Sequence, residues 1–406
     1  MTAIRQRQKQ RLLVAMCCGI ASALMLPAGL VIAYHSVLNS NTGTNVNDIK
    51  VLKILETPVA LLATVNDSKE ITTVSVIALA GGSLGGTIVS IPAKAKAEVA
   101  DGEQPRRIYD SYIDGDPTAF VADVEGLLNV TISAVGILNR DDLLRLLGKV
   151  GPAEVLLDSD VRTTTPDGAT LTVAKIGKAT LDTLSLVSIL LAREIDQSEA
   201  ARFNHQKSVW TAITNTVGLG LRLDAANINL LETPLDFDGF MQRLFAGPIQ
   251  YWQFSATAVP SGVDNPNAQD MFSLDSSEVT MIMASVAPTS ITGSGVPGAL
   301  SVQVDSPFND PVISREIVRR LVAIGFDVAL VREVPGPPSD LTQLRFVDTR
   351  AFSELDLKDF IGDFDATRTS ERAQGIDLQI ILGSSFVKFF KDNPDLPATT
   401  VVPLDE

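Results

Sequence analysis

Arg193, Arg202, His205 and Gln206 fall within one short stretch, LLAREIDQSEAARFNHQKSVWTAI, which runs from Leu190 to Ile213. Guanidinium groups beside a helix start suit an anion, because both present positive charge and N–H donors to phosphate oxygens. At 100° per residue, Ser198 to Val217 places Phe203, Trp210, Ile213 and Val217 on one apolar stripe. Asn204, Ser208, Thr211 and Asn215 form the opposite, wet face. Arg202 and Gln206 fall inside the apolar stripe, and His205 flanks it beside Val209. A guanidinium on the buried side is costly unless an anion meets it. That anion can be a carboxylate of this chain, giving a structural ion pair, or the phosphate of a ligand. Spacing alone leaves both open.

The elements around this helix follow from apolar runs and caps. PVALLATV, TTVSVIALA and GTIVSIP read as strands, parted by NDSKE and GGSLG. A helix is expected from near Pro117 (PTAFVADVEGLLN), then a strand (VTISAVGIL) and a helix capped by Asn139 (NRDDLLRLLGKV). Continuous apolar strands alternating with helices predict an α/β sandwich about a central mixed sheet over residues 51–287. APTSITGSGVPGAL then reads as a linker over 288–299. Beyond it, 300–390 carries a βαββαβ-like pattern, a small second α/β domain. Its strands are LSVQVDS, FDVALVRE, TQLRFVD and IDLQIILG, and its helices DPVISREIVRRLVAIG and SELDLKDFIGDF. Residues 391–406 are expected to be a loose tail. P-loop, dinucleotide, HExxH and GxSxG patterns are absent. Gly81-Gly82 and Gly85-Gly86 lack a following Lys-Ser/Thr, so they predict a hairpin turn and not a phosphate loop.

Charge and hydropathy bound the setting. The chain has 33 basic and 48 acidic residues, a net charge of −15. Arg5, Arg7, Lys9 and Arg11 crowd into the first eleven positions, so the body is more acidic still. Such a body repels nucleic acid phosphates, and a nucleic acid partner is not expected. LLVAMCCGIASALMLPAGLVIAYH, residues 12–35, carries no charged side chain and is long enough to span a bilayer. The positive-inside rule keeps residues 1–11 cytoplasmic and sends the body across the membrane. A cleaved signal is the alternative, though its apolar core is usually shorter. Residues 36–50 form a polar spacer. Both cysteines, Cys17 and Cys18, lie in the apolar run, so the exported body has neither a disulfide nor a cysteine metal site.

An ordered series of motifs between Val51 and Ala287 resembles the LytR-CpsA-Psr family, membrane-anchored proteins that attach glycopolymers to bacterial cell walls. TTVSVIALAGGSLGGTIVSIP is similar to the family's paired strands ending in Ser-Ile-Pro. RRIYDSYIDGDPTAFVADVEGLLNVTISAVGILNRDDLLRLLGKVGPAEV follows its tyrosine-containing stretch, helix, strand and glycine turn. GKATLDTLSLVSILLARE and EAARFNHQ are similar to the segments bearing its arginines. The part after residue 300 resembles the LytR C-terminal domain.

The resemblance implies a lipid-linked pyrophosphate with its tails in an apolar tunnel and its phosphates against arginines. A magnesium ion held by aspartates assists, and a sugar hydroxyl attacks phosphorus. Carried over, Arg193 and Arg202 face phosphate, Gln206 closes the motif and Arg107 stands at the family's lysine. The departures are in the same motifs. KEITT puts Ile71 at the metal aspartate, and SIPAK puts Ala93 at an arginine and Lys94 at an acid. His205 replaces an arginine and Glu199 an aspartate, leaving Asp196 and Glu199 as candidate metal carboxylates.

The resulting expectation is a membrane-anchored envelope protein with a partial phosphate pocket of Lys94, Arg107, Arg193, Arg202, His205 and Gln206. It would bind a polyprenyl-phosphate-linked glycopolymer with weak or lost transfer. The partners implied are the membrane, that lipid, and peptidoglycan or other envelope proteins. The alternatives are an active phosphotransferase with a rearranged magnesium site, and a non-catalytic structural or interaction protein.

Overall fold

The computed structural model describes residues 50–394 except 53, 101–102, 166, 195–196, 222–227, 231, 293–298, 347–356 and 370. The basic tail, the apolar run at 12–35, Asp196 and residues 395–406 lie outside the described residues. Among the described residues, no helix is long and apolar enough to cross a membrane. The described residues from Leu52 onward form one compact unit.

The three apolar runs are strands β1 (Val59–Val65), β2 (Ile71–Leu79) and β3 (Gly86–Ile91). Every residue of β1 and β2 is buried, as a sheet covered on both faces demands. With β4 (Ile132–Leu138) and β9 (Ile249–Gln253) they make a mixed sheet of order β9-β3-β2-β1-β4. The β1–β2 and β2–β3 pairs are antiparallel, whereas β4 and β9 join in parallel. The glycine pairs form the β2–β3 turn. Gly85 has φ +86°, and a Cβ there would meet Pro248 O at 2.1 Å, so only glycine fits.

One face of this sheet packs on helix α1 (Thr118–Leu128), through Phe120 and Val124, and on α6 (Ser276–Val286). The other face, with Leu62, Ile77 and Ile88, packs on α3 (Thr183–Leu191), α4 (Glu199–Val217) and α5 (Phe237–Phe245). Asn139 caps α2 (Arg140–Leu147) by accepting from Asp141 N and Asp142 N. Two antiparallel pairs went unread in the sequence: β5 (Ala153–Leu157) with β8 (Gly177–Leu181), and β6 (Val161–Thr164) with β7 (Thr170–Ala174). The strands are only four or five residues long, and β6 to β8 carry threonine or charge, so no extended apolar run marks them. A further pair joins β10 (Ala256–Ala258) to β11 (Phe272–Leu274).

The second sheet has order β13-β12-β16-β14-β15, from β12 (Ser301–Ser306), β13 (Asp327–Glu333), β14 (Thr342–Phe346), β15 (Phe364–Arg368) and β16 (Leu378–Ile381). Helix α7 (Pro311–Ala323) covers it through Ile317 and Leu321. Only α8 (Lys358–Ile361) of the expected SELDLKDFIGDF helix lies among the described residues, and Phe364 begins a strand instead. The expected loose tail is fastened at its start. Helix α9 (Ser384–Asp392) runs into it, Arg320 donates to Asn393 O, and Arg319 donates to Pro394 O at 3.1 Å. The two sheets share one apolar cluster, with Ile282 and Met283 of α6 among its members. Residues at the start of the expected linker bond back to the first sheet's surroundings: Ser290 Oγ donates to Thr57 O at 2.9 Å.

Candidate functional site

Helix α4 exposes and buries the residues the periodicity assigns. Phe203, Trp210, Ile213 and Val217 are buried, while Asn204, Thr211 and Asn215 are exposed. Gln206 and His205 are both buried, and each has partners within the chain. Gln206 Nε2 donates to Val74 O (3.1 Å), Ser75 Oγ (3.0 Å) and Ser90 Oγ (3.0 Å), which ties the helix to β2 and β3. His205 Nε2 is 2.9 Å from Ser159 Oγ. Burial pulls the His205 pKa below its ordinary value and the Asp158 charge opposes this in part, so the ring is neutral near pH 7.

The cations expected to meet phosphate each meet a carboxylate of this chain. Arg202 Nη2 is 2.9 Å from Glu199 Oε2 and donates to Thr72 O at 2.9 Å. The Arg202–Glu199 contact is an ion pair without hydrogen-bond alignment. It is deeply buried, with side chains 9% and 3% exposed. Glu199 Oε1 accepts from Ala93 N at 2.8 Å. Lys94 Nζ is 2.6 Å from Asp270 Oδ2, which also accepts from Glu199 N at 3.3 Å. Arg193 pairs with Glu70 at 2.8 Å, and Arg107 holds Asp110 with two bonds of 2.9 Å.

Tyr109 is the residue that sequence reasoning missed. Arg107 lies over its ring at 4.6 Å and Arg193 at 5.9 Å, so the structure gathers these two cations around one aromatic face. Burial raises the Tyr109 pKa, with Arg107 opposing. Burial also disfavours the Arg107 cation, but the hydrogen bond to Asp110 and the nearby Tyr109, Asp110 and Asp270 charges outweigh it and raise its pKa. The signal in the sequence was Tyr109 two residues after Arg107 in RRIY.

Two cavities adjoin these side chains. Beside Arg193 lies an open groove of about 480 Å³ lined by polar groups such as Asn66, Ser68, Glu70 and Thr165. At the start of α4 a recess of about 200 Å³ is lined by Pro92, Glu199, Phe203, Phe254 and Phe272. Leu186, Trp210, Phe240 and Phe245 are fully buried in one apolar cluster.

A magnesium ion prefers free carboxylate oxygens. Both Glu199 oxygens are engaged, and Ile71 is 2% exposed in the core beside Thr72 and Thr73. The hydroxyls of Thr72 and Thr73 bond Thr64 Oγ1 at 2.6 and 2.7 Å. Among the described residues no group of three or more His, Cys, Asp or Glu could hold a metal ion. Glu199 is thus already paired with Ala93 N and Arg202, and Asp196 lies outside the described residues.

No family model matches the chain, and no curated protein matches it. Among solved structures the chain is similar to TagV of B. subtilis, at 16% identity and TM-score 0.41, covering 56% of this chain and 94% of that one. It is similar to TagT of B. subtilis at 14% identity and TM-score 0.39, covering 58% and 96%. A LytR-CPS2A-psr family protein, YwtF (TagT), with bound octaprenyl pyrophosphate lipid, stands at 15% identity and TM-score 0.39, covering 56% and 87%. Similarities this low do not by themselves assign a family.

Proposed function

We propose that this chain is a membrane-anchored, extracytoplasmic cell-envelope protein of LytR-CpsA-Psr type that serves glycopolymer assembly without transferring the polymer itself. The motif order over Val51–Ala287, behind a basic tail and an apolar run, supports the class. One observation carries the loss of transfer: Arg202, the residue matching a phosphate arginine, is closed on Glu199 beside a strand with Ile71 where a metal aspartate would stand. Phosphoryl transfer depends on positioning and on neutralising spread negative charge. Each such contact is worth about 2.7–4 kcal/mol, so losing two slows the reaction by roughly four to six decades.

A second reading keeps lipid-phosphate binding at the rim. The Arg193–Glu70 pair is partly exposed, with side chains 24% and 47% accessible, and an exposed pair is worth only about 0–1 kcal/mol. A phosphate can therefore displace Glu70 from Arg193.

The test uses the full chain in detergent with a lipid-linked glycopolymer, peptidoglycan acceptor and magnesium, beside an active relative. The expected result is no polymer on the acceptor, and product above background would overturn the proposal. Binding to vesicles carrying a polyprenyl phosphate separates the second reading: Arg193→Ala weakens it and Asn204→Ala does not.

A further inference from the structure

We propose that Ser159 and His205 form a nucleophile–base pair that cleaves carboxylic esters, an activity separate from polymer transfer. The proposal goes beyond the reading above and stands independently of it, since it uses neither a phosphate nor the arginines. Ser159 lies in the bend between β5 and β6, and its hydroxyl is 2.9 Å from His205 Nε2. Two points of the chain 46 residues apart thus bring an exposed serine against a histidine that is 3% exposed. A hydroxyl within hydrogen-bond reach of a neutral imidazole is the arrangement that activates a serine. With its own proton on Nδ1, the ring accepts the Ser159 proton at Nε2. Burial keeps the ring uncharged at neutral pH, so it is available as a base. The charge of Asp158, the residue before Ser159, favours the imidazolium that then forms.

The bend also supplies donors for the charge that develops. Among the described residues no hydrogen bond engages the amides of Ser159 and Asp160. The nucleophile's own N–H and the one after it are groups that meet the oxyanion in acyl transfer. A groove of about 520 Å³ runs beside the pair, lined by Asp158 from the bend and by Asn204, Ser208, Thr211 and Asn215 from α4. The side chains of these four α4 residues make no hydrogen bond among the described residues. A row of free amides and hydroxyls suits a hydroxyl-rich alcohol, and Leu156 in the same groove gives the acyl chain an apolar contact. Asp158 and Asp160 flank the serine and repel anions. The substrate class is therefore an uncharged ester of a polyhydroxyl compound, such as an O-acylated sugar.

In the first step Ser159 Oγ bonds to the ester carbonyl carbon, and its proton passes to His205 Nε2. The bond from that carbon to the alcohol oxygen then breaks, and His205 gives the proton to the leaving oxygen. Water next attacks the acyl-serine. Its hydroxyl ends on the free acid, and its proton returns through His205 to Ser159.

A fluorophosphonate probe and p-nitrophenyl acetate test this on the full chain in detergent, beside Ser159→Ala and His205→Asn. Peptide mass mapping should find the probe on Ser159, attached about tenfold faster than on other exposed serines, and His205→Asn should slow this about 100-fold. Ester turnover by Ser159→Ala should fall to the rate in buffer, and the exposed position of Ser159 lets that variant keep its fold. Labelling of Ser159 no faster than of other serines would overturn the proposal, and would leave the hydroxyl as no more than a partner for a buried ring nitrogen. Equal ester turnover by wild type and Ser159→Ala would overturn it as well. Neither readout depends on the stability of His205→Asn. Polymer transfer by the unmutated chain would sink the earlier proposal and leave this one standing.

Discussion

Two arginines with little exposure, each with a glutamate on the preceding turn of its own helix, sit in different surroundings. Arg320 in α7 is fully buried and pairs with Glu316 at 2.6 Å. Its Nη1 donates to Phe360 O at 3.1 Å, its Nη2 to Asn393 O, and the guanidinium lies 5.4 Å from the Phe389 ring centre. Its partners are thus fixed groups from segments 40 and 73 residues away, so it pins α8 and the end of α9 to α7. Arg202 in α4 has Glu199 and Thr72 O, and Glu199 borders a recess. Both pairs fasten distant segments, since Arg202 donates to Thr72 O and Glu199 accepts from Ala93 N, but only the α4 pair has a recess of about 200 Å³ beside it.

Arg320→Ala should therefore have the largest effect, about 2–6 kcal/mol, because it leaves the Phe360 and Asn393 carbonyls without their buried donor, while Glu316 keeps Arg319. A urea midpoint measures it, and cleavage within residues 384–394 should appear early on limited proteolysis. Glu199→Gln should cost less, about 1–3 kcal/mol, since Arg202 keeps Thr72 O and can turn toward the recess. Equal losses in the two variants would mean that the recess beside Glu199 gives its pair no freedom to rearrange.

How much of this was legible depended on whether a feature is local. Strands β1 to β3, the Asn139 cap and the inward phase of Arg202 and Gln206 came from neighbouring residues alone, through apolar runs and helical period. The partner of Arg202 was within reach as well, because Glu199 lies three residues before it on the same helix face. Glu70 and Asp270 were not, since they lie 123 and 176 residues from the arginine and the lysine they neutralise, Arg193 and Lys94. No spacing rule connects such pairs, and a chain with 48 acids offers too many candidates. Gln206 shows the complementary error: its burial was readable, but the hydroxyls of Ser75 and Ser90 that claim it became visible only once β2 and β3 were paired.

His205 extends the comparison to a group whose charge can be changed without mutation. Its folded pKa lies below the ordinary 6.5, mainly through burial. The unfolded chain therefore takes up a proton first as pH falls. The stability contributed by the neutral ring is complete above about pH 6.5 and declines below it, until the folded ring also titrates. His205→Asn should flatten this part of a stability-against-pH curve, while Glu199→Gln should leave its slope there intact. A wild-type curve with no fall below pH 6.5 would place the imidazole in a wetter setting than the Ser159 contact implies.

The smallest effect belongs to the rim. Glu70 and Arg193 are paired at 2.8 Å, yet water reaches both. Breaking an exposed pair removes about 0–1 kcal/mol, because solvent screens the charges and the free side chains regain entropy. Glu70→Gln should thus barely move the urea midpoint, and about 0.5 M salt, which shortens the Debye length to roughly 4–5 Å, should remove what difference remains. Its consequence should lie in binding. With the rim carboxylate neutralised, Arg193 faces the groove beside Tyr109 alone, and affinity for polyprenyl phosphate vesicles should rise about two- to fivefold at low salt. A loss of several kcal/mol in Glu70→Gln would make this pair a staple like Arg320, and the rim would then be as closed to phosphate as the start of α4.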